Sequence, residues 1–217
     1  MLPARTYEEV CTSLTEYMNR KRDVRLVGLV FCQPHSSFAK NEILPALPYF
    51  DDRSGERVNF YFAGYCKKIE VQVNNIVGVP LVDFPDWAFS AKAFNDFRQN
   101  LERKTAWKYS GATDFILANA RYESERGKAF LDFSSAISIT LEKLEHDGSL
   151  TNVGMLFERV FSYAETCTGD DPTWGFSDQE GKKIVGGALK NLVVSVLPKS
   201  IQQGAKDAIH FVSNDLS

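Results

Sequence analysis

The sequence predicts an α/β fold in which a mixed sheet carries helices on both faces. Two apolar runs of strand length, residues 24–32 and 58–63, are separated by a segment whose apolar residues have helical spacing. Two later β-rich runs, residues 113–122 and 129–141, flank a turn and predict an antiparallel hairpin. Together these observations indicate a mixed sheet. We also expect an N-terminal helix and a C-terminal helical pair.

The N-terminal helix is predicted over residues 7–20. Thr6 and Glu9 have the spacing of a capping box, in which each side chain accepts a hydrogen bond from the other residue's backbone amide. The basic residues 20–22 stand at the end of the helix, where positive charge is favourable. The apolar stripe that follows the capping box consists of Val10, Leu14, Tyr17 and Met18.

A strand, a helix and a second strand follow. Val24–Cys32 is apolar and rich in β-branched residues, which predicts a central strand covered on both faces. Phe38–Phe50 has helical spacing, and we expect Pro45 and Pro48 to kink or end that helix. Val58–Ala63 is the predicted second strand. The intervening segment is long enough for the crossover that a parallel pair requires.

The middle of the chain predicts an edge strand at Ile69–Val73, a connection at Asn74–Pro85 and a helix at Ser90–Arg103. The hairpin follows. Its second run, Ala129–Leu141, also fits a helical pattern, but apolar residues alternate there with Ser138 and Thr140. Because Ser and Thr are poor helix-interior residues, a strand is favoured.

The C-terminal part of the chain is predicted to be helical. Leu150–Cys167 has a continuous apolar face, and two further helices are expected at Asp178–Leu197 and Lys199–Phe211, on either side of Pro198. We therefore divide the chain into an α/β domain, residues 1–168, and a helical extension, residues 169–217, that packs on the domain or on a partner.

Composition and charge disfavour several classes of function. Lys plus Arg number 25 against 28 Asp plus Glu among 217 residues, and the formal net charge of −3 does not favour binding to nucleic acid. No apolar segment has the ~18 residues of a membrane span, and no secretory signal is found, so we expect a cytoplasmic protein. The four cysteines form no C-x-x-C pair and are expected to be reduced thiols.

The order of elements over residues 24–167 resembles the thioredoxin-like fold. The sequence Cys32-Gln33-Pro34-His35 follows the first core strand, where redox enzymes of that family carry Cys-Gly-Pro-Cys. His35 stands in place of their second cysteine, and no proline between Pro85 and Pro172 can be the cis-proline that precedes their hairpin. The resemblance therefore implies the scaffold without the dithiol.

Cys32 and His35 are the candidate catalytic residues. A thiol at a strand end just before a helix lies where backbone amides and the helix dipole favour a thiolate, and His35 could add to that effect. Cys66 is the candidate for a distant resolving thiol. The alternative is that Cys32 is the last buried residue of the central strand and His35 a solvent-facing turn residue.

Four further residues are candidates for binding. Ser36 and Ser37 open the helix after Cys32, where free amides could hold a phosphate or carboxylate, although such serines are more often plain N-caps. Trp107 and Tyr109 precede the hairpin. On a thioredoxin-like scaffold this segment would lie beside the Cys32 turn, so the two rings either line a peptide or ligand groove or cover the sheet edge.

The sequence offers no motif for a metal site or a bound cofactor. The histidines lack metal-ligand spacing, and the chain contains neither a phosphate-binding glycine loop nor a G-x-S-x-G nucleophile elbow. The paired carboxylates Asp83 and Asp86, and Asp170 and Asp171, flank prolines and are typical of turns. We expect neither metal nor cofactor.

These observations favour a non-catalytic interaction module that binds a protein partner or a second copy of itself. Its contact surface would be the C-terminal apolar helices or the Trp107–Tyr109 loop. The first alternative is a thiol-dependent enzyme, monothiol redox or nucleophilic, that uses Cys32. The second is an effector that associates with membranes through residues 184–212, whose apolar spacing resembles that of a surface-binding helix.

Overall fold

The sheet and its helices follow the order that the apolar pattern predicts. A computed structural model describes residues 2–4, 6–18, 24–54, 58–68, 78–146, 152–167, 169–173 and 175–176. In chain order the elements are β1 (Leu2–Ala4), α1 (Tyr7–Met18), β2 (Arg25–Phe31), α2 (Leu47–Arg53), β3 (Val58–Ala63), β4 (Tyr65–Lys67), β5 (Val79–Pro80), β6 (Trp87–Phe89), α3 (Ala91–Lys104), β7 (Asp114–Glu123), β8 (Lys128–Thr140), α4 (Leu141–His146) and α5 (Val153–Thr166).

Among the described residues, five strands form the main sheet, in the order β1-β3-β2-β7-β8. Strands β1 and β2 run parallel to β3, whereas β7 is antiparallel to β2 and β8 is antiparallel to β7. Every residue of β2 and β3 is buried, as expected for strands covered on both faces. The predicted α/β class, with a mixed sheet, is confirmed.

One face of the sheet packs against α2 and α5 through aromatic rings. The rings of Phe60 and Phe115 stack nearly parallel, with centroids 5.8 Å apart. Both lie over Gly28, where an added Cβ would come within 2.9 Å of Phe60 and 3.0 Å of Phe115. Phe157 of α5 meets Phe60 edge-on at 5.3 Å, and Phe50 of α2 stacks on Phe60 at 5.7 Å. These rings form the centre of the core.

The opposite face packs against α1 and α3. Phe31 of β2 points to this face because side chains alternate along a strand. Its ring lies 5.2 Å from the ring of Phe97 in α3, and Tyr7 of α1 contacts the same Phe97 at 6.5 Å. The predicted helices on both faces are therefore present.

Local signals in the sequence locate the N-terminal helix. The Thr6 amide donates to Glu9 Oε2 and the Glu9 amide donates to Thr6 Oγ1, each at 3.1 Å, so the capping box is confirmed. The segment after β2 is helical but irregular. A π-helical turn (Ala39–Ile43) and a 3₁₀ turn (Leu44–Ala46) precede α2, where Pro45 and Pro48 cannot donate backbone hydrogen bonds.

A second, smaller sheet was not predicted. Strands β4, β6 and β5 pair antiparallel in that order beyond the end of β3. Only β5 lies in the predicted connection Asn74–Pro85, and no element was predicted for the residues of β4 and β6. Gly64, with φ +80°, makes the turn between β3 and β4. The predicted edge strand Ile69–Val73 lies outside the described residues.

The hairpin of β7 and β8 is confirmed, including the strand interpretation of its second arm. Asn119 pairs with Asp132 and Leu117 pairs with Ile137, so residues 133–136 bulge opposite a single residue of β7. This irregularity explains the mixed periodicity of the second arm.

The first residues of the C-terminal extension bind the sheet at this bulge. Asn119 Oδ1 accepts from the backbone amide of Thr173 at 3.1 Å and from its hydroxyl at 2.8 Å. Asp171 accepts from Asn119 Nδ2 at 2.7 Å and from Ser135 Oγ at 2.8 Å. Residues 171–173 therefore pack on the domain. The two helices predicted at 178–197 and 199–211 lie outside the described residues.

Gly64 and Gly111 both have positive φ, so an alanine at either position has an unfavourable backbone conformation. Only at Gly64 would the added Cβ also lie too close to neighbouring atoms. A Cβ at Gly64 would lie 2.8 Å from Phe94 Cβ and 2.9 Å from Ser90 O, whereas a Cβ at Gly111, with φ +87°, would meet nothing within 4 Å. We expect Gly111→Ala to lower the free energy of unfolding by about 1 kcal/mol and Gly64→Ala to lower it by about 3 kcal/mol or more. Urea denaturation of both variants measures the difference, and equal losses would contradict the tight packing at Gly64.

Candidate functional site

Cys32 lies at the carboxyl end of β2, as predicted, and a tight turn follows it. The Ser36 amide donates to Gln33 O at 3.1 Å, and Ser36 Oγ accepts from the Ala39 amide at 3.3 Å. Ser36 is thus an N-cap of the following helix. Ser37 and His35 are exposed to solvent. The turn therefore has the conformation of an ordinary helix start.

The thiol of Cys32 is sealed inside the protein. Its side chain is fully buried. Cys32 Sγ donates to Tyr65 Oη at 3.5 Å, and Tyr65 Oη donates to the backbone oxygen of Cys32 at 3.3 Å. Burial raises the pKa of Cys32 to about 12, although the Tyr65 hydroxyl partly opposes the shift. The thiol is therefore protonated at neutral pH, which argues against a thiolate nucleophile in this conformation.

His35 does not assist Cys32 in the structure. The Cys32 thiol is hydrogen-bonded to the phenol of Tyr65, whereas His35 lies on the surface. The structure thus places the two candidate catalytic residues in different environments, one in the core and one in solvent. Cys32 is thus the last buried residue of the central strand and His35 is a solvent-facing turn residue, as in the alternative interpretation of the sequence.

The second candidate group, Trp107 and Tyr109, belongs to residues 105–113, which we name the covering loop. The Trp107 ring packs 4.7 Å from the ring of Phe31, and the Trp107 side chain is only 5% exposed. Tyr109 is half-buried, and its ring meets the ring of Phe94 at 5.5 Å. In this conformation the two rings cover the end of the sheet, and they do not line an open groove.

Burial also changes the titration of the Tyr109 phenol. It raises the pKa of Tyr109, and the nearby Asp114 carboxylate and the Cys32 thiol raise it further. The phenol thus lies within electrostatic range of the sealed thiol.

Two carboxylates that the sequence analysis did not select hold the covering loop. Both oxygens of Glu142 accept from the Thr113 amide, at 2.8 and 2.7 Å, and Oε1 accepts from the Thr113 hydroxyl at 2.7 Å. Asp114 accepts from the Ser110 amide at 2.8 Å and from the Ser110 hydroxyl at 2.6 Å. Burial raises the pKa of Asp114 despite these bonds. Local sequence carried no signal for the Glu142 contact, because it spans the whole hairpin.

The remaining acidic pairs have structural environments. Asp83 and Asp86 are exposed in a turn, Asp170 is exposed, and Asp171 binds the sheet as described above. Within the described ranges no three His, Cys, Asp or Glu side chains are placed together to bind a metal ion. Within the same ranges no helix combines the length and apolar character needed to cross a membrane.

Comparison with known proteins adds no relative. No protein-family model, curated protein or solved structure matches this chain significantly. The geometry of the chain itself is therefore the basis for a functional assignment.

The raised pKa of Cys32 predicts a loss of stability in alkali. At about pH 8 and below, the thiol is protonated in the folded and unfolded states, so it contributes its full stabilisation there. As the pH rises toward 12, the folded thiol keeps its proton while the unfolded thiol loses it. Between about pH 9 and pH 10 we expect wild type to lose about 1 kcal/mol more unfolding free energy than Cys32→Ala.

Urea denaturation of both proteins at these pH values measures the effect. The titration of the tyrosines in the unfolded state is the same in the two proteins, so it cancels in the comparison. The same slope in both would mean that the Cys32 thiol titrates alike in the folded and unfolded chain.

Proposed function

We propose that this chain is a non-catalytic protein-interaction module built on a thioredoxin-like core. The strand order β1-β3-β2-β7-β8 supports the thioredoxin-like part, because it joins three parallel strands to an antiparallel hairpin. The placement of α1 and α3 on one face and of α2 and α5 on the other supports it as well. Fold resemblance alone assigns no activity, so the function is argued from surfaces and side chains.

The sealed thiol supports the non-catalytic part of the proposal. A nucleophilic cysteine needs access to its substrate and a thiolate at working pH. Cys32 in this conformation has neither, since it is fully buried and its pKa is about 12. The alternative of a thiol-dependent enzyme would require the protein to adopt another conformation at Cys32.

The observation that carries the proposal is an exposed apolar turn, residues 78–86. Val82 is 95% exposed and Val79 is 71% exposed, with Pro80 and Pro85 also at the surface. Exposed apolar side chains that are grouped within one short segment favour a site for protein binding. We propose this turn as the contact surface in place of the Trp107–Tyr109 loop, because the two rings of that loop face inward.

The turn is held in place before any partner binds. The Leu81 amide donates to Trp87 O at 2.9 Å, and the Trp87 amide donates to Phe84 O at 2.9 Å. Leu81 and Phe84 pack against the core from the inner side of the turn. A preorganised surface loses less conformational entropy on binding, which favours affinity.

Charge substitution on the turn tests the proposal. Val82→Asp places a carboxylate at the most exposed apolar position, so we expect at least tenfold weaker binding of a partner, on the order of 1.4 kcal/mol. Met155→Asp is the matched control, because Met155 is also apolar and 52% exposed but lies on α5. Tagged capture from the native host followed by mass spectrometry, and light scattering for self-association, provide the measurements.

The proposal fails if wild type retains no stoichiometric partner and is monomeric, or if both variants retain their partner equally. Deletion of residues 182–217 tests the contribution of the C-terminal extension, which was the other predicted contact surface. Loss of the partner only on this deletion would place the contact there. Liposome flotation of the full chain addresses the membrane alternative, which predicts co-flotation.

A further inference from the structure

The side chain of Asn119 is fully buried in β7, and all of its hydrogen-bonding capacity is used. Its Nδ2 donates to Asp171 Oδ1 at 2.7 Å and to Ser135 Oγ at 3.1 Å. Its Oδ1 accepts from the backbone amide and from the hydroxyl of Thr173, at 3.1 and 2.8 Å. An amide side chain offers two hydrogens and two lone pairs, so these bonds saturate it. All but the bond to Ser135 come from the C-terminal extension.

The residues of the extension that bond to Asn119 belong to a short segment, residues 171–173, 175 and 176, which we name the latch. Asp171 supplies a carboxylate acceptor, and Thr173, two residues later, supplies a hydroxyl and an amide donor. The carboxylate also accepts from Ser135 Oγ at 2.8 Å. A segment that lacked either side chain would leave part of the buried amide unpaired. The contact therefore depends on the identity of both residues.

The far end of the latch lies against α5. The Gly175 amide donates to Asp171 O at 3.0 Å, and the Phe176 ring meets the Tyr163 ring edge-on at 5.4 Å. Phe176 is only 3% exposed. An added Cβ at Gly175 would overlap the hydroxyl oxygen of Tyr163, so this position requires glycine. Together the contacts match the pattern Asp-x-Thr-x-Gly-Phe of residues 171–176.

The latch can leave without breaking the sheet. None of the described strands includes a latch residue, and β7 is paired along its length with β2 and β8. Gly169 and Asp170, which precede the latch, are exposed to solvent. Release would expose Asn119, Ser135 and Tyr163, which we name the socket.

We propose that the socket is a peptide-binding site, which the latch occupies in cis and leaves reversibly while the sheet stays folded. The class of ligand follows from the contacts. It is a peptide that carries a carboxylate, a hydroxyl two residues later and a Gly-aromatic pair two residues further on.

This site is separate from the proposed interaction surface on the turn 78–86. The experiment below uses the full chain and a synthetic peptide, and it needs no partner from the host. Its outcome therefore does not depend on whether the turn binds a partner, and each proposal keeps its own test.

Release of the latch by substitution tests the site. Gly175→Ala in the full chain places a Cβ against Tyr163, so the latch no longer fits the socket. The probe is a fluorescein-labelled peptide with the native sequence of residues 169–177, and its binding is followed by fluorescence anisotropy. We expect the variant to bind the peptide with a Kd below about 1 mM. We expect at least tenfold weaker binding to wild type, because the tethered latch competes at high effective concentration.

Two further variants show whether the socket itself is occupied. Gly169→Ala is the matched control, because its added Cβ would come no closer than 4.0 Å to Asp171 N, and it should bind the peptide as weakly as wild type. Tyr163→Phe combined with Gly175→Ala removes the overlapping oxygen and leaves Cζ 3.4 Å from the added Cβ. The latch then fits again, so peptide binding should fall at least tenfold from that of Gly175→Ala alone.

A peptide with Thr173→Val tests the specificity of the site. It lacks the hydroxyl that donates to Asn119 Oδ1, so we expect Gly175→Ala to bind it about fivefold or more weakly than the native peptide. Equal binding of the two peptides would overturn the proposal, and so would a folded Gly175→Ala variant that binds neither. Circular dichroism checks folding, and loss of the fold in Gly175→Ala would also overturn it, because the latch would then be an obligatory part of the domain.

Discussion

The stacking of Phe60 and Phe115 over Gly28 is the contact on which the rest of the structure depends. A side chain at Gly28 would displace both rings, since an added Cβ would lie within 3.0 Å of each. Because Gly28 has no side chain, the two rings can stack and form one apolar surface. Phe50 and Phe157 pack on that surface, which fixes α2 and α5 on the same face of the sheet. Strand β2 is thereby held at the centre of the sheet, and its carboxyl end, where Cys32 lies, is covered.

That placement determines the chemistry of the candidate site. A thiol at the end of a central strand can be activated only if the neighbouring turn leaves it accessible and supplies charge or amides to the sulfur. Here Cys32 Sγ donates to the phenol of Tyr65, and burial raises the pKa of the thiol to about 12. Apolar surface is instead exposed at the turn 78–86. This contrast is the physical basis of the proposed role in recognition of another protein.

Sequence patterns predicted those strands and helices that are determined by residues close together in the chain. The central strands follow from apolar runs, and the start of α1 follows from the capping box of Thr6 and Glu9. The small sheet was missed because its strands have only two or three residues, too few for a pattern. Sequence also could not reveal that Glu142 binds Thr113, 29 residues away, or that the Cys32 thiol donates to Tyr65, 33 residues away. Both are consequences of tertiary packing.

The protonation state of Cys32 tests the account most directly. The ¹³Cβ chemical shift of Cys32 distinguishes thiol from thiolate, and it can be followed in the folded full chain from about pH 6 to pH 10, a range that spans the ordinary thiol pKa. The account predicts that the thiol shift persists throughout this range, because burial holds the pKa near 12. A transition to the thiolate below about pH 8 would show an activated cysteine and would contradict the non-catalytic assignment.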